Sequence, residues 1–398
     1  MLSKNLKKTI FAIISKSSNT ESIKLLNQHE KNLLIKIFSY GRSENYLYQY
    51  IVANKCQAFF AGNTLAKLKK RCHISNLKKS LILYDCAKVF EILDKNKIKY
   101  IPLKGIHINL IFKSLSGFRQ IRDIDILIQK DNIQKSINLL QDIGYKSILH
   151  KKKDKNNRKT SLITLEKYDI ERLYSHNGTC LEIHHTILKN KKNDLLYTCF
   201  NQQPSKKNYA IYPDIELLIL HLVYHSSSKQ GFDVGIQGFI DIYELINNPI
   251  TDLNKLISLS LEHNLYAELM CFLGIFKNYI NNEILEKTHI PNDFDNSFLN
   301  SVTDLILYNT ASNASIKFFK SSSIKNILIL YKREHLLDGI INQNYTLYFL
   351  KKLFNHLGLF FLFTFKSIFV KDFLIHNKKS IKILKKLQDK NVSSYNKH

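Results

Sequence analysis

The stretch Phe118-Arg119-Gln120-Ile121-Arg122-Asp123-Ile124-Asp125-Ile126-Leu127-Ile128 decides how this chain is read. Its run of β-branched residues predicts a strand over 121–128. On a strand, residues two apart face the same way. Asp123 and Asp125 therefore project together, while Ile124 and Ile126 pack on the opposite face. Two carboxylates side by side repel each other, and their burial is costly unless they share a cation. A divalent ion such as Mg²⁺, or Mn²⁺ in its place, is the simplest cation for such hard oxygen ligands.

A D-x-D pair alone is common at solvated strand ends, so its surroundings matter. Arg119 and Arg122 lie within four residues of it, in a chain with 7 arginines against 52 lysines. Arginine placed there suits a planar fork that binds phosphate bidentately; the bland reading is that both merely neutralise the aspartates. Upstream, Tyr100–Leu103 reads as a short strand, and Lys104-Gly105 opens a helix over 106–112. Backbone N–H groups at such a helix start can meet phosphate. Downstream, Cys180-Leu181-Glu182-Ile183-His184-His185 places Glu182 and His184 on one strand face. If that strand lies beside the Asp strand, Glu182 supplies a third carboxylate. Three carboxylates can hold two metals about 3.5–4 Å apart, one activating the attacking oxygen and one stabilising the leaving pyrophosphate. His184 then touches phosphate, orients Glu182 or is a packed strand histidine.

Around this centre the chain divides in three: a helical region 1–98, an α/β core 99–210 and a helical domain 211–398. Within 76–96, Leu83, Cys86, Phe90 and Leu93 recur at steps of three and four and share one helix face. After the Asp strand, a helix over 131–141 is expected, capped by Asp131 and ended by Gly144 at its C′ position. Strands are expected over 145–149, 162–169, 170–175 and 179–184, with a charged loop at 151–159 and a His176-Asn177-Gly178 turn. Helical periodicity returns over 214–224, 236–246, 253–262 and 267–280. The fold class is thus α+β, a small mixed sheet with flanking helices between two helical regions.

The formal charge is +26, from 59 basic and 33 acidic residues. Such a balance raises nucleic acid or an anionic membrane as a partner. The lysine bias favours an excess spread over solvated helix faces. The cysteines, Cys56, Cys72, Cys86, Cys180, Cys199 and Cys271, form no C-x-x-C pair and no zinc spacing, which suits free thiols in a reducing cytoplasm. The apolar run Ile10–Ile14 is too short for a signal peptide, so the N-terminus reads as an amphipathic helix. The apolar segment 353–370 reads as a buried helix or as an interfacial one. Lysines on both sides would then make 345–390 a contact for anionic lipid at the membrane's inner face.

Together these pieces resemble the uncharacterised nucleotidyltransferase family called NTP-transferase type 5, in the DNA-polymerase-β-like superfamily. The resemblance runs from about residue 80 to about 250. Its carriers are Ile101–Gly105, Arg119 with Asp123–Ile128, Gly144-Tyr145, Leu181–His184, Leu220–His225 and Phe239–Ile242. It implies metal-dependent transfer of a nucleoside monophosphate from an NTP to a hydroxyl or phosphate acceptor, with a small molecule, glycan, peptide or RNA as the acceptor classes. Asp123 and Asp125 would be metal ligands, and Glu182 the acid that positions or deprotonates the acceptor. Lys104 and Gly105 stand where many superfamily members have Gly-Ser on the phosphate turn. His225 and Asp241 match recurring positions without an assigned role. His221 and His225 lack the glutamate of an H-E-x-x-H zinc motif and read as a packed pair. Competing readings are an inactive nucleotide or partner binder, a peripheral membrane protein of surface-polysaccharide or peptide modification, and an RNA-modifying or toxin-type transferase.

Overall fold

The computed structural model describes residues 2–18, 20–147, 170–187, 195–204, 208–229, 235–280 and short pieces between 290 and 307. The expected loop at 151–159, the strand at 162–169 and the apolar segment 353–370 lie outside the described residues. The described residues group into two compact units: those up to His73 with those from Ile215 onward, and Ile74–Asp214.

The first unit is helical. Ser3 caps α1 (Lys4–Ile14) by accepting from the Leu6 N–H. After the short α2 (Glu21–Lys24), α3 (Gln28–Tyr40) opens with a reciprocal capping box between Asn27 and Glu30. α4 (Glu44–Ala53) follows. Four later helices, Ile215–Tyr224, Ile236–Ile246, Leu253–Glu262 and Tyr266–Tyr279, belong to the same unit. Phe11 stacks on Tyr279 at 4.5 Å and meets the edge of Phe239 at 5.5 Å, which ties α1 to the later helices.

α5 (Gly62–Lys95) is longer than the 76–96 segment read from periodicity. Its residues from Ile74 onward belong to the second unit, with β1 (Tyr100–Pro102), α6 (Lys104–Ile111), α7 (Lys113–Ser116), β2 (Asp123–Ile128), α8 (Ile133–Asp142), β3 (Lys146–Ser147), β4 (Ile170–Tyr174) and β5 (Cys180–His184). The strands form one sheet in the order β1-β2-β5-β4-β3. β2 and β5 are parallel, and the other neighbours are antiparallel. The chain is therefore α+β with a small mixed sheet, as expected.

Strand alternation splits the sheet's side chains. Ile124, Ile126, Ile128, Leu173, Leu181 and Ile183 enter one core with Ile82, Cys86, Val89 and Leu93 of α5 and Ile137 and Leu140 of α8. Full burial of each such aliphatic chain is worth about 1.5–3 kcal/mol, so this face anchors the sheet. Asp123, Asp125, Glu182 and His184 alternate with these residues. Two carboxylates of α5, the buried Asp85 and the half-buried Asp94, add polar pins. Asp85 accepts from Ser175 Oγ at 2.8 Å and Asn177 Nδ2 at 3.2 Å, and Asp94 accepts from the Tyr209 N–H at 2.7 Å.

Two local expectations are corrected. β2 begins at Asp123, not Ile121. Asp131 does not cap α8; it sits in a 3₁₀ turn, Lys130–Asn132, and Asn132 precedes the helix without a side-chain cap bond. Gly144 does adopt the left-handed C′ conformation, with φ +94°. All six cysteines are buried and free. Burial pushes the Cys72 thiol up to about 12, far from a reactive thiolate. Among the described residues, no helix is long and apolar enough to cross a membrane.

Candidate active site

The parallel pairing of β2 and β5 puts Asp123 opposite Cys180 and Asp125 opposite Glu182. His184, two residues beyond Glu182, shares its face. Ligand atoms of Asp125, Glu182 and His184 all lie within 4.8 Å of one another, and all three residues are buried. Asp123 is half-buried at the start of β2.

Backbone register also delivers Lys104. The β1–β2 pairing ends at Pro102 opposite Ile126, and the Leu103 N–H then donates to the Asp125 carbonyl at 2.9 Å. The next residue lands beside Asp125. Lys104 Nζ stands 2.5 Å from Asp125 Oδ1, and His184 Nε2 donates to the same oxygen at 2.9 Å. Lys104, expected on phosphate, thus stands on a carboxylate.

The electrostatics differ between the two buried acids. Burial pushes Asp125 up, but the Lys104 ammonium and the His184 hydrogen bond hold it well below the usual carboxylate range. Glu182 goes the other way: burial, with Asp125 and Asp123 nearby, holds it above its ordinary value against the pull of Arg172 and Lys104. Burial opposes the charge on Lys104, yet Asp125, Asp123 and Glu182 outweigh it and keep the ammonium above its ordinary value. A pair of carboxyls driven apart in this way is a signature of divided labour in catalysis.

Arg172 is the residue that sequence reasoning missed. It lies opposite Glu182 on β4, and its Nε donates to Glu182 Oε1 at 2.8 Å. The signal was present: Arg172 and Glu182 lie five residues either side of Asn177, so a symmetric hairpin pairs them. Gly105 has a specific steric reason. A Cβ there would lie 2.3 Å from Arg119 Nη1, so the guanidinium rests over the first turn of α6. Arg119 Nη1 also donates to the Gln120 carbonyl at 2.8 Å. Arg122 is exposed beside Asp123.

His225 and Asp241 belong to the first unit. His225 begins a π-helical turn, His225–Lys229, directly after the Ile215–Tyr224 helix. Its ring lies 6.4 Å from that of His221. Asp241 is buried and accepts from Gln237 Nε2 at 2.7 Å, and Gln237 Oε1 accepts from Ser43 Oγ at 3.0 Å. Among the described residues the His221–His225 pair is not part of a metal-ligand cluster.

A mixed sheet that carries clustered acids on one face and a helix-packed core on the other defines an α+β fold of the nucleotidyltransferase type. A family profile described as uncharacterised nucleotidyltransferase matches residues 27–281, and the chain belongs to that family. The match takes in Lys104, Asp123, Asp125, Arg172, Glu182, His184, His225 and Asp241. No curated protein and no solved structure matches the chain.

Proposed function

We propose that this protein is a metal-dependent nucleotidyltransferase of the polymerase-β type, which moves a nucleoside monophosphate from an NTP to a hydroxyl or phosphate acceptor. The observation that carries this reading is the convergence of Asp125, Glu182 and His184 on paired strands beside Asp123. The donor set fits a divalent cation. Its carboxylates are hard oxygen ligands, and a buried ammonium already sits among them as a monovalent counter-charge. Asp123, Asp125 and Glu182 would hold Mg²⁺ or Mn²⁺. The ion would supply charge stabilisation for the attacking oxygen and the departing pyrophosphate.

The remaining roles fall to the chain's own groups. Arg119, Arg122, Lys104 and the α6 N-terminus at Gly105 bind the triphosphate. That helix end suits the task, because Leu103 provides no side-chain cap bond. Glu182 takes the acceptor proton as the acceptor oxygen bonds to the α-phosphorus and the bond to pyrophosphate breaks. Its raised proton affinity suits a general base better than that of Asp125. Arg172 holds the Glu182 carboxylate in place. Residues 99–210 form the catalytic core of this reading.

The purified chain, labelled NTPs, Mg²⁺ or Mn²⁺ and a cell extract test it. Product mass then identifies both the transferred group and the acceptor. Asp123→Asn and Asp125→Asn should each lower turnover by about 10²–10³-fold, the range expected for loss of one electrostatic stabiliser. Wild-type turnover and metal binding in both variants would refute the assignment.

A further inference from the structure

Lys104 has an unusual backbone as well as an unusual partner. Among the described residues, six other than glycine have positive φ: Lys16, Arg42, Lys55, Lys97, Lys104 and Asn264. Five of these follow helix ends, where a left-handed residue is an ordinary stop. Lys104 instead opens a helix, at φ 45°. Such a conformation costs about 1–3 kcal/mol for a residue with a Cβ and collects at functional sites. Here it turns the chain from β1 into α6 directly beside Asp125.

The ammonium is fixed by that turn. Its side chain is 14% exposed, and Nζ contacts Asp125 Oδ1. That oxygen also accepts from His184 Nε2, so its two lone pairs are both in use. A divalent ion binds a carboxylate oxygen at about 2.0–2.6 Å. It cannot take Asp125 Oδ1 while a second cation stands 2.5 Å from the same atom. A metal that takes Asp125 Oδ1 therefore displaces the ammonium and strips it of its contact counter-charge, which is costly for a buried cation. A triphosphate that arrives with the metal offers that counter-charge within reach of the flexible lysine stem.

We propose that Lys104 is a tethered counter-ion that couples metal binding to nucleotide binding. It neutralises the acidic cluster in the empty protein and moves to the phosphates when metal and nucleotide arrive together. By thermodynamic linkage, the nucleotide tightens the metal by the same factor as the metal tightens the nucleotide. This inference rests on the nucleotidyltransferase reading of the site, but it predicts an effect of opposite sign to that of a simple phosphate ligand. Loss of Lys104 should strengthen the binding of metal by itself.

The test measures Mn²⁺ binding to the full chain through the electron paramagnetic resonance signal of the free ion. Titrations run with and without an α,β-methylene analogue of ATP or GTP. In the wild type, the analogue should tighten Mn²⁺ by at least about ten-fold, or about 1.4 kcal/mol. Lys104→Met keeps most of the stem without the charge; it should bind Mn²⁺ alone at least about ten-fold more tightly than wild type and respond little to the analogue. Lys104→Asn, which suits a left-handed backbone, should behave in the same way if the Met variant folds poorly. Lys104→Arg should retain the wild-type pattern. If neither neutral variant gains affinity for Mn²⁺ alone, while Asp125→Asn removes the analogue-dependent binding, the counter-ion is refuted and the metal site stands. If even the wild type binds no Mn²⁺ with either analogue, the nucleotidyltransferase reading itself falls, and the counter-ion with it.

Discussion

Asp125 is the most constrained residue of the site, because its carbonyl, its Oδ1 and its strand pairing engage both the β1–α6 junction and β5. Its carbonyl holds Leu103, its Oδ1 holds Lys104 and His184, and Glu182 lies opposite it on β5. Gly105→Ala probes the next residue along. The added Cβ must push the Arg119 guanidinium aside, and that flexible end can give way without unfolding the helix. The expected outcome is an NTP KM raised several-fold with a denaturant midpoint near wild type. His107 supplies the pH test. It is buried in α6, its ring bonds the Pro102 carbonyl, and burial lowers it from an ordinary 6.5 to about 4. The unfolded chain therefore binds the extra proton first. Stability from this residue is complete above pH 6.5, falls as pH drops toward about 4, and changes no further below that. The loss amounts to about 3 kcal/mol at most. His107→Phe should flatten that part of the stability–pH curve measured by urea unfolding.

At the scale of elements, the site depends on two strands brought side by side and on what keeps them in register. The β4–β5 hairpin carries Arg172 and Glu182, and its turn is pinned to α5 by Asp85. Asp85→Ala removes both bonds and leaves the Ser175 hydroxyl without its partner. The expected cost is about 1–3 kcal/mol, read as a lowered urea midpoint with an unchanged slope. Arg172→Gln acts on the same hairpin from the other face. Without its guanidinium, the Glu182 carboxyl rises further, since Arg172 is the first of the groups that pull it down. The acid limb of the kcat–pH profile should move to higher pH, a change that lost packing alone does not produce.

For the molecule as a whole, the +26 charge comes mostly from lysine and is a poor guide to the partner. Any RNA retained at low salt should dissociate steeply as salt rises, in proportion to the phosphates neutralised. Nucleotide held by the buried Lys104–Asp125 cluster should persist, because buried charges are screened far less than exposed ones. Parallel salt titrations of RNA and NTP-analogue binding separate the two. Equal slopes would place the nucleotide on the exposed lysines instead.

Much of this protein was legible in its sequence. A run of β-branched residues marked β2, and step-three-and-four periodicity marked the helical regions, because both signals follow from local backbone geometry. The family followed from short pieces in a fixed order, and residues 27–281 match its profile. The acids Asp123, Asp125 and Glu182 were legible as residue types on strands. Their meeting was not, because sequence does not say which strand lies beside which, or in what direction. Only the tertiary structure set β2 parallel to β5 with Asp125 opposite Glu182. It also set the Lys104 ammonium against Asp125 and brought Arg172 onto Glu182. The physical reason is the same in each case. Local propensity decides which face a side chain takes, while the charges it meets there are set by strand pairing over long sequence separations.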